Sequence, residues 1–122
     1  MEQKKVSAEM AKLALEALED KKAEDIRIID ISTVSVLADY FIIASGTSNT
    51  HVRALADEVD DEMKKLGVEV DHIEGRATGW ILLDYNDVLV HVFQPESRQY
   101  YNIERLWNDA ARIDLSDVLT ED

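Results

Sequence analysis

Ser45-Gly46-Thr47-Ser48-Asn49 is small, hydroxyl-rich and interrupted by a glycine. It lies between an apolar run and a helical pattern, where backbone N–H groups at a helix start can hold a phosphate. It lacks the Gly-Lys-Ser/Thr ending of a P-loop and the three glycines of a dinucleotide fingerprint, so a tight turn followed by a helix cap accounts for it. Phosphoryl or nucleotidyl transfer would also need carboxylates clustered around a divalent ion. No Asp-x-Asp pair follows on a strand, and Val90-His91-Val92 stands where one would be sought. His51, His72 and His91 follow no metal-ligand spacing. His91, inside an apolar strand pattern, reads as a hydrogen-bonded, half-buried imidazole, and His51 as a solvated or locally bonded one. Asp57 with Asp61 and Glu58 with Glu62 fall at like-charge helical spacing, the mark of a solvated face. The absence of cysteine excludes a thiolate zinc site and a cysteine nucleophile. No catalytic residue, metal ligand or cofactor site is assigned.

What remains is aromatic. Trp80, Tyr85, Tyr100, Tyr101 and Trp107 stand among polar neighbours, and such side chains dominate protein interfaces. Residue type alone does not separate an interface tryptophan from a core one, so Trp80 and Trp107 also admit a packing role.

The elements that must position these residues are legible from periodicity. Trp80 to Leu83 and Val88 to Phe93 are apolar runs joined by Tyr85-Asn86-Asp87, a β-hairpin pattern in which Asn86 suits a positive backbone angle. Pro95 fits the first position of a helix, with Glu96 favourable at its positive end, and that helix is expected to carry Tyr100, Tyr101, Leu106 and Trp107. Upstream, Met10, Ala11, Ala14, Leu15 and Leu18 recur at helical spacing from about Ser7, a candidate cap, to Lys21. Ile26–Ile31 and Tyr40–Ala44 read as strands, the second as a buried one, with Ser32 to Ala38 a polar connection. Val52, Leu55, Ala56, Val59, Met63 and Leu66 share one face of a helix stopped by Gly67. Val68-Glu69-Val70 alternates as a short strand, and His72 to Gly79 as a loop. Five strands and three helices in mixed order predict a single α/β domain with a five-stranded mixed sheet packed by helices. Residues 1–108 are expected to form that domain, and 109–122 an acidic, partly ordered C-terminal tail.

The chain has 122 residues, 46% of them hydrophobic and 32% charged, which suits one folded domain. No run approaches the length of a membrane span, and the amino terminus lacks the apolar segment of a signal peptide, so a cytoplasmic protein is expected. With 26 acidic and 13 basic side chains the formal net charge is −13, which disfavours nucleic acid and favours basic partners.

Two blocks, LADYFIIASGTSNTHVRALADEV from Leu37 to Val59 and EGRATGWILLDYNDVLVHVFQPESRQYYNIERLW from Glu74 to Trp107, closely resemble the ribosomal silencing factor family, called RsfS in bacteria and Iojap-related in plants and mitochondria. Asn86 stands where glycine is usual in relatives, and both tolerate the left-handed conformation. The resemblance implies a nucleotidyltransferase-like architecture without enzymatic activity. It implies a partner, the fourteenth protein of the large ribosomal subunit, and an action, blocking subunit joining and so repressing translation when nutrients are short. It further implies a homodimer when free, while the acidic charge and the lack of a long apolar run predict no DNA or membrane partner. Partner contact is carried by resemblance to Trp80, Leu82, Asp84 and Tyr85, with Tyr100, Tyr101 and Asn102. Trp80 would be the apolar anchor, and Asp84 and Glu74 would meet basic side chains. The competing reading is a nucleotidyl- or phosphoryl-transfer enzyme using the Gly46 loop, which needs two or more carboxylates within metal-binding reach of that loop.

Overall fold

The computed structural model describes residues 2–32, 38–75, 79–106 and 111–112. In chain order the elements are α1 (Glu2–Asp20), β1 (Glu24–Asp30), β2 (Tyr40–Ser45), α2 (Asn49–Lys65), β3 (His72–Glu74), β4 (Trp80–Asp84), β5 (Val88–Phe93), α3 (Pro95–Tyr101), α4 (Ile103–Leu106) and β6 (Ala111–Arg112). The strands form one sheet in the order β3-β4-β5-β2-β1-β6, in which β2 and β5 run parallel and every other pair is antiparallel. This is the expected mixed sheet of five strands, extended by a two-residue sixth at its edge.

Alternation along each strand sorts side chains onto two faces. Tyr40, Ile42 and Ala44 of β2, Ile81 and Leu83 of β4, and Val88, Val90 and Val92 of β5 face α1 and α2, where they pack with Ala11, Ala14, Leu15, Leu18, Val52, Leu55, Val59 and Met63. Alanines on α1 let that helix sit close to the sheet. On the other face Ile29, Ile43 and Phe93 pack with Ile103 of α4, and Phe41, Trp80 and Leu89 lie partly buried against them. Both long helices therefore cover one face, and α3 and α4 cover part of the second.

Local signals set most boundaries. Ser48, extended at φ −156°, caps α2 by accepting from the His51 N–H, and Gly67 ends it at φ +86°. A Cβ on Gly46 would lie 2.9 Å from Val52 Cγ2 and 3.0 Å from Val52 N, so glycine permits the close approach of α2 to the end of β2. Asn86 takes φ 71° in the β4–β5 turn, and Pro95 opens α3.

The structure departs from the expected elements in four places. Ser7 does not cap α1, which begins at Glu2; buried inside the helix, its hydroxyl donates to Asp39 Oδ2 at 2.8 Å. Val68–Val70 is not a strand, because the Val68 N–H is taken by the Met63 carbonyl as the chain leaves α2. The third strand is β3, inside the expected loop, where His72 and Glu74 pair with Asp84 and Leu82. The terminal helix breaks at Asn102, left-handed at φ 47°, into two short pieces. Trp107 and residues 113–122 of the expected tail lie outside the described residues, as does most of the Ser32–Ala38 connection.

One buried ion pair fixes α3 and α4 to the sheet. Arg98, 8% exposed, directs Nε and Nη2 to the two carboxylate oxygens of Glu104 at 2.9 and 3.1 Å, and Nη1 to the Asp25 carbonyl at 2.7 Å and Ser45 Oγ at 2.9 Å. The irregularity in β1, with Asp25 at φ 49°, turns that carbonyl towards the guanidinium. Removing one partner of a buried, hydrogen-bonded pair strands the other, so Arg98→Met is expected to cost about 3 kcal/mol in urea unfolding. Arg98→Lys, which cannot reproduce the fork, should cost about 2 kcal/mol. Losses below roughly 0.5 kcal/mol, the range of ordinary surface substitutions, would show that the pair does not fix this segment.

Candidate docking site

β4 turns Trp80, Leu82 and Asp84 away from α1 and α2, and the end of α3 brings the Tyr101 ring over Trp80. A Cβ on Gly79 would lie 2.4 Å from Ser97 Oγ and 3.4 Å from Ser97 Cβ, so a larger residue there would require the serine hydroxyl to turn away. The Trp80 indole stacks on Phe93 with ring centres 4.9 Å apart and meets the Tyr101 ring at 4.7 Å. Its Nε1–H donates to His91 Nδ1 at 3.1 Å. Glu74, Gly75, Trp80, Leu82 and Tyr101 line an open groove of about 280 Å³. Tyr100, 82% exposed, packs edge-on against Tyr101, itself 51% exposed. Large aromatics at the surface beside a groove are the usual material of protein recognition.

The groove has a charged rim that periodicity did not reveal. His72 pairs across the ladder with Asp84. Its Nε2 lies 2.8 Å from Glu74 Oε2 and 3.4 Å from Asp84 Oδ2, and its Nδ1 lies 2.9 Å from Asp71 Oδ2. The hydrogen bond to Asp71, with the charges of Asp84 and Glu74, raises the His72 pKa above the usual value of 6.5. Asp71, His72 and Asp84 are the one grouping among the described residues whose donor atoms lie within 4.8 Å of one another. Carboxylates already engage both imidazole nitrogens, and the arrangement is an exposed ion-pair network. Neither Asp71 nor His72 stood out in the sequence, because their meeting depends on the pairing of β3 with β4.

Of the residues expected to contact a partner, Glu74, Trp80, Leu82 and Tyr101 share the groove, and Asp84 joins its rim through His72. Tyr100 and Asn102 are exposed beyond Tyr101 on the α3 side. Tyr85 does not belong with them. It is 3% exposed on the α1–α2 side of the sheet, where its hydroxyl donates to Asp60 Oδ1 at 3.0 Å, and burial pushes its pKa up. Asp60 also accepts from Lys64 Nζ at 3.1 Å, so the pair satisfies a buried carboxylate, and contact by Tyr85 with a partner is corrected to a core role. Trp80 packs half-buried over Phe93 while lining the groove.

The Gly46 loop is satisfied within the chain. The Thr47 N–H donates to His51 Nδ1 at 2.9 Å, Gly46 N–H to the Phe93 carbonyl at 2.8 Å, and Ser48 Oγ caps α2. His51 Nε2 reaches the Lys21 carbonyl at 2.8 Å, tying α2 to the end of α1. Asp25 and Glu104, near Ser45, are turned onto Arg98. These contacts leave the loop's geometry as a turn and cap, the simpler of its two readings.

The family described as "Ribosomal silencing factor during starvation" matches residues 4–122. A relative named "Ribosomal silencing factor RsfS" from Bacillus subtilis is 45% identical over 105 residues, covering 85% of this chain and 89% of that one. A crystal structure of a Chromobacterium violaceum protein superposes with a TM-score of 0.80 at 46% identity, covering 82% and 84% of the two chains. One from Bacillus halodurans gives 0.77 at 36% identity, covering 87% and 97%. No described helix is long and apolar enough to cross a membrane.

The rim makes a prediction about pH. With its folded pKa raised, His72 contributes stability that is fully present below about 6.5, its unfolded value, and lost as pH rises through the folded value. His72→Gln is therefore expected to lower the melting temperature at about pH 6 and leave it unchanged near pH 9. NMR titration of the imidazole checks the premise, and a midpoint at or below 6.5 would refute it.

Proposed function

This chain belongs to the ribosomal silencing factor family, and from that premise we propose that it docks on the large ribosomal subunit and keeps the small subunit from joining. The observation that carries the reading is the groove: a half-buried tryptophan with exposed tyrosines on one side and Glu74, Asp84 and Asp71 on the other, on a chain of net charge −13. Such a surface suits a basic protein with an apolar contact point, which fits the fourteenth large-subunit protein named by the family resemblance. Trp80, Leu82 and Tyr101 supply the apolar contact, with Tyr100 and Asn102 beside them. Glu74 and Asp84 take basic side chains, replacing contacts that the His72 imidazolium makes at low pH.

Residues 1–108 act as the docking domain, with the acidic stretch 109–122 as its appendage. A domain of this size is at least about 28 Å across, twice a radius of gyration of roughly 14 Å, so its presence at the subunit interface excludes the partner subunit without chemistry. In the free protein a second copy covers the same apolar face as a homodimer. Translation falls when the factor is abundant, as it would be under nutrient limitation.

Trp80→Ala is expected to weaken co-sedimentation with purified large subunits about thirtyfold, or about 2 kcal/mol. Urea unfolding measured alongside corrects for the packing the indole contributes. Asp84→Lys should weaken docking about tenfold and lessen its salt dependence, by reversing charge towards a basic partner. Light scattering of subunit association reads the consequence, since saturating factor should keep subunits apart and excess small subunit should oppose its binding. Undiminished affinity for fully joined ribosomes would overturn the occupancy mechanism.

A further inference from the structure

His91 lies on β5 between its ladder partners Ile43 of β2 and Leu82 of β4, on the face away from α1 and α2. It is 4% exposed, with the rings of Phe41 at 4.8 Å, Trp80 at 5.8 Å and Phe93 at 6.2 Å. The hydrogen bond from Trp80 fixes its chemistry. An imidazole that accepts at Nδ1 is neutral and carries its proton on Nε2. Burial keeps it so, lowering its pKa to about 4. That Nε2 is buried and, among the described residues, has no hydrogen-bond partner.

An unmatched buried N–H is unfavourable, and an apolar ring of similar shape would avoid it. Stability alone therefore does not account for histidine here. What this side chain adds is a flat ring that fills the space between Phe41 and Trp80 while offering an acceptor to the indole. The unmatched Nε2–H follows from that acceptor, because the proton has no other nitrogen to occupy.

We propose that His91 is the positioning residue of the docking surface, holding the Trp80 indole by its N–H in the orientation that forms one wall of the groove. Stacking on Phe93 and contact with Tyr101 tolerate sliding and rotation of the ring in its plane. The directional bond to Nδ1 removes that freedom before a partner arrives, which lowers the ordering cost of binding. The proposal rests on the docking reading given above.

The test compares amides that differ in where they place an acceptor. In His91→Asn, Oδ1 falls near the position of Nδ1 and can accept from the indole. In His91→Gln the amide falls near the position of Nε2 and cannot. His91→Phe keeps the ring and removes the acceptor. Hydrogen exchange of the indole N–H, assigned by its disappearance in Trp80→Phe, reports the bond, and co-sedimentation with purified large subunits reports docking. In His91→Gln and His91→Phe, indole protection and docking affinity are each expected to fall about tenfold. In His91→Asn both should return to within about threefold of the starting protein. Docking unchanged in His91→Gln and His91→Phe, while Trp80→Ala still loses it, would overturn the positioning role and leave the docking reading intact. Docking unchanged in Trp80→Ala would overturn the docking reading and, with it, the role given to His91.

Discussion

The parallel pairing of β2 with β5 is the constraint on which the rest of this fold depends. Parallel neighbours cannot be joined by a hairpin, so the chain between Ser45 and Val88 must leave the sheet and return. It does so through α2 and the β3–β4 pair. With α1 packed beside it, α2 fills one face of the sheet with aliphatic side chains. Among the described residues the second face receives the short α3 and α4, and its alternate residues from β4 and β5 are Trp80, Leu82, Asp84, Leu89, His91 and Phe93. The groove lies on that face because the crossover has placed the long helices on the other.

Two cationic groups show how burial sets the purpose of an ion pair. Arg98 is enclosed, permanently charged and matched by a bidentate carboxylate, so it acts as a fixed clamp holding α3 in place. Through that clamp Tyr101 is kept over Trp80. His72 is exposed, surrounded by Asp71, Glu74 and Asp84, and able to lose its proton. Its contacts are exchangeable with those of another cation, which suits the rim of a docking groove. The same charges protect β3, a three-residue edge strand, from adding a strand of another molecule.

Part of the groove's floor is β4, paired on both sides, and its main side chain is held by stacking, by a hydrogen bond and by Tyr101 of α3. The Gly46 turn, which has the composition of a phosphate cradle, spends its polar groups on its own helix and on His51. The aromatic face holds the open groove, and the Gly46 segment forms a turn and a helix cap.

The sequence by itself determined the features written in neighbouring residues. The β4–β5 hairpin with Asn86 in its turn, the Pro95 helix start, the Ser48 cap and Gly67 stop of α2, and the buried character of β2 all follow from local sterics and periodicity. So did the acidic surface, and the resemblance of two blocks to a family. Tertiary structure decided whatever depends on partners distant in the chain. Val68–Val70 carried the strand pattern and His72 to Gly79 read as a loop, yet the strand formed at His72–Glu74, the segment that meets β4. Ser7 with Asp39, Asp60 with Tyr85, and Arg98 with Ser45 join residues 32, 25 and 53 positions apart. Each is a polar group whose burial is tolerable only because the fold delivers its partner. No periodicity encodes such a meeting, and for that reason Tyr85 read as an interface residue from its neighbours and proved to be a core residue from its contacts.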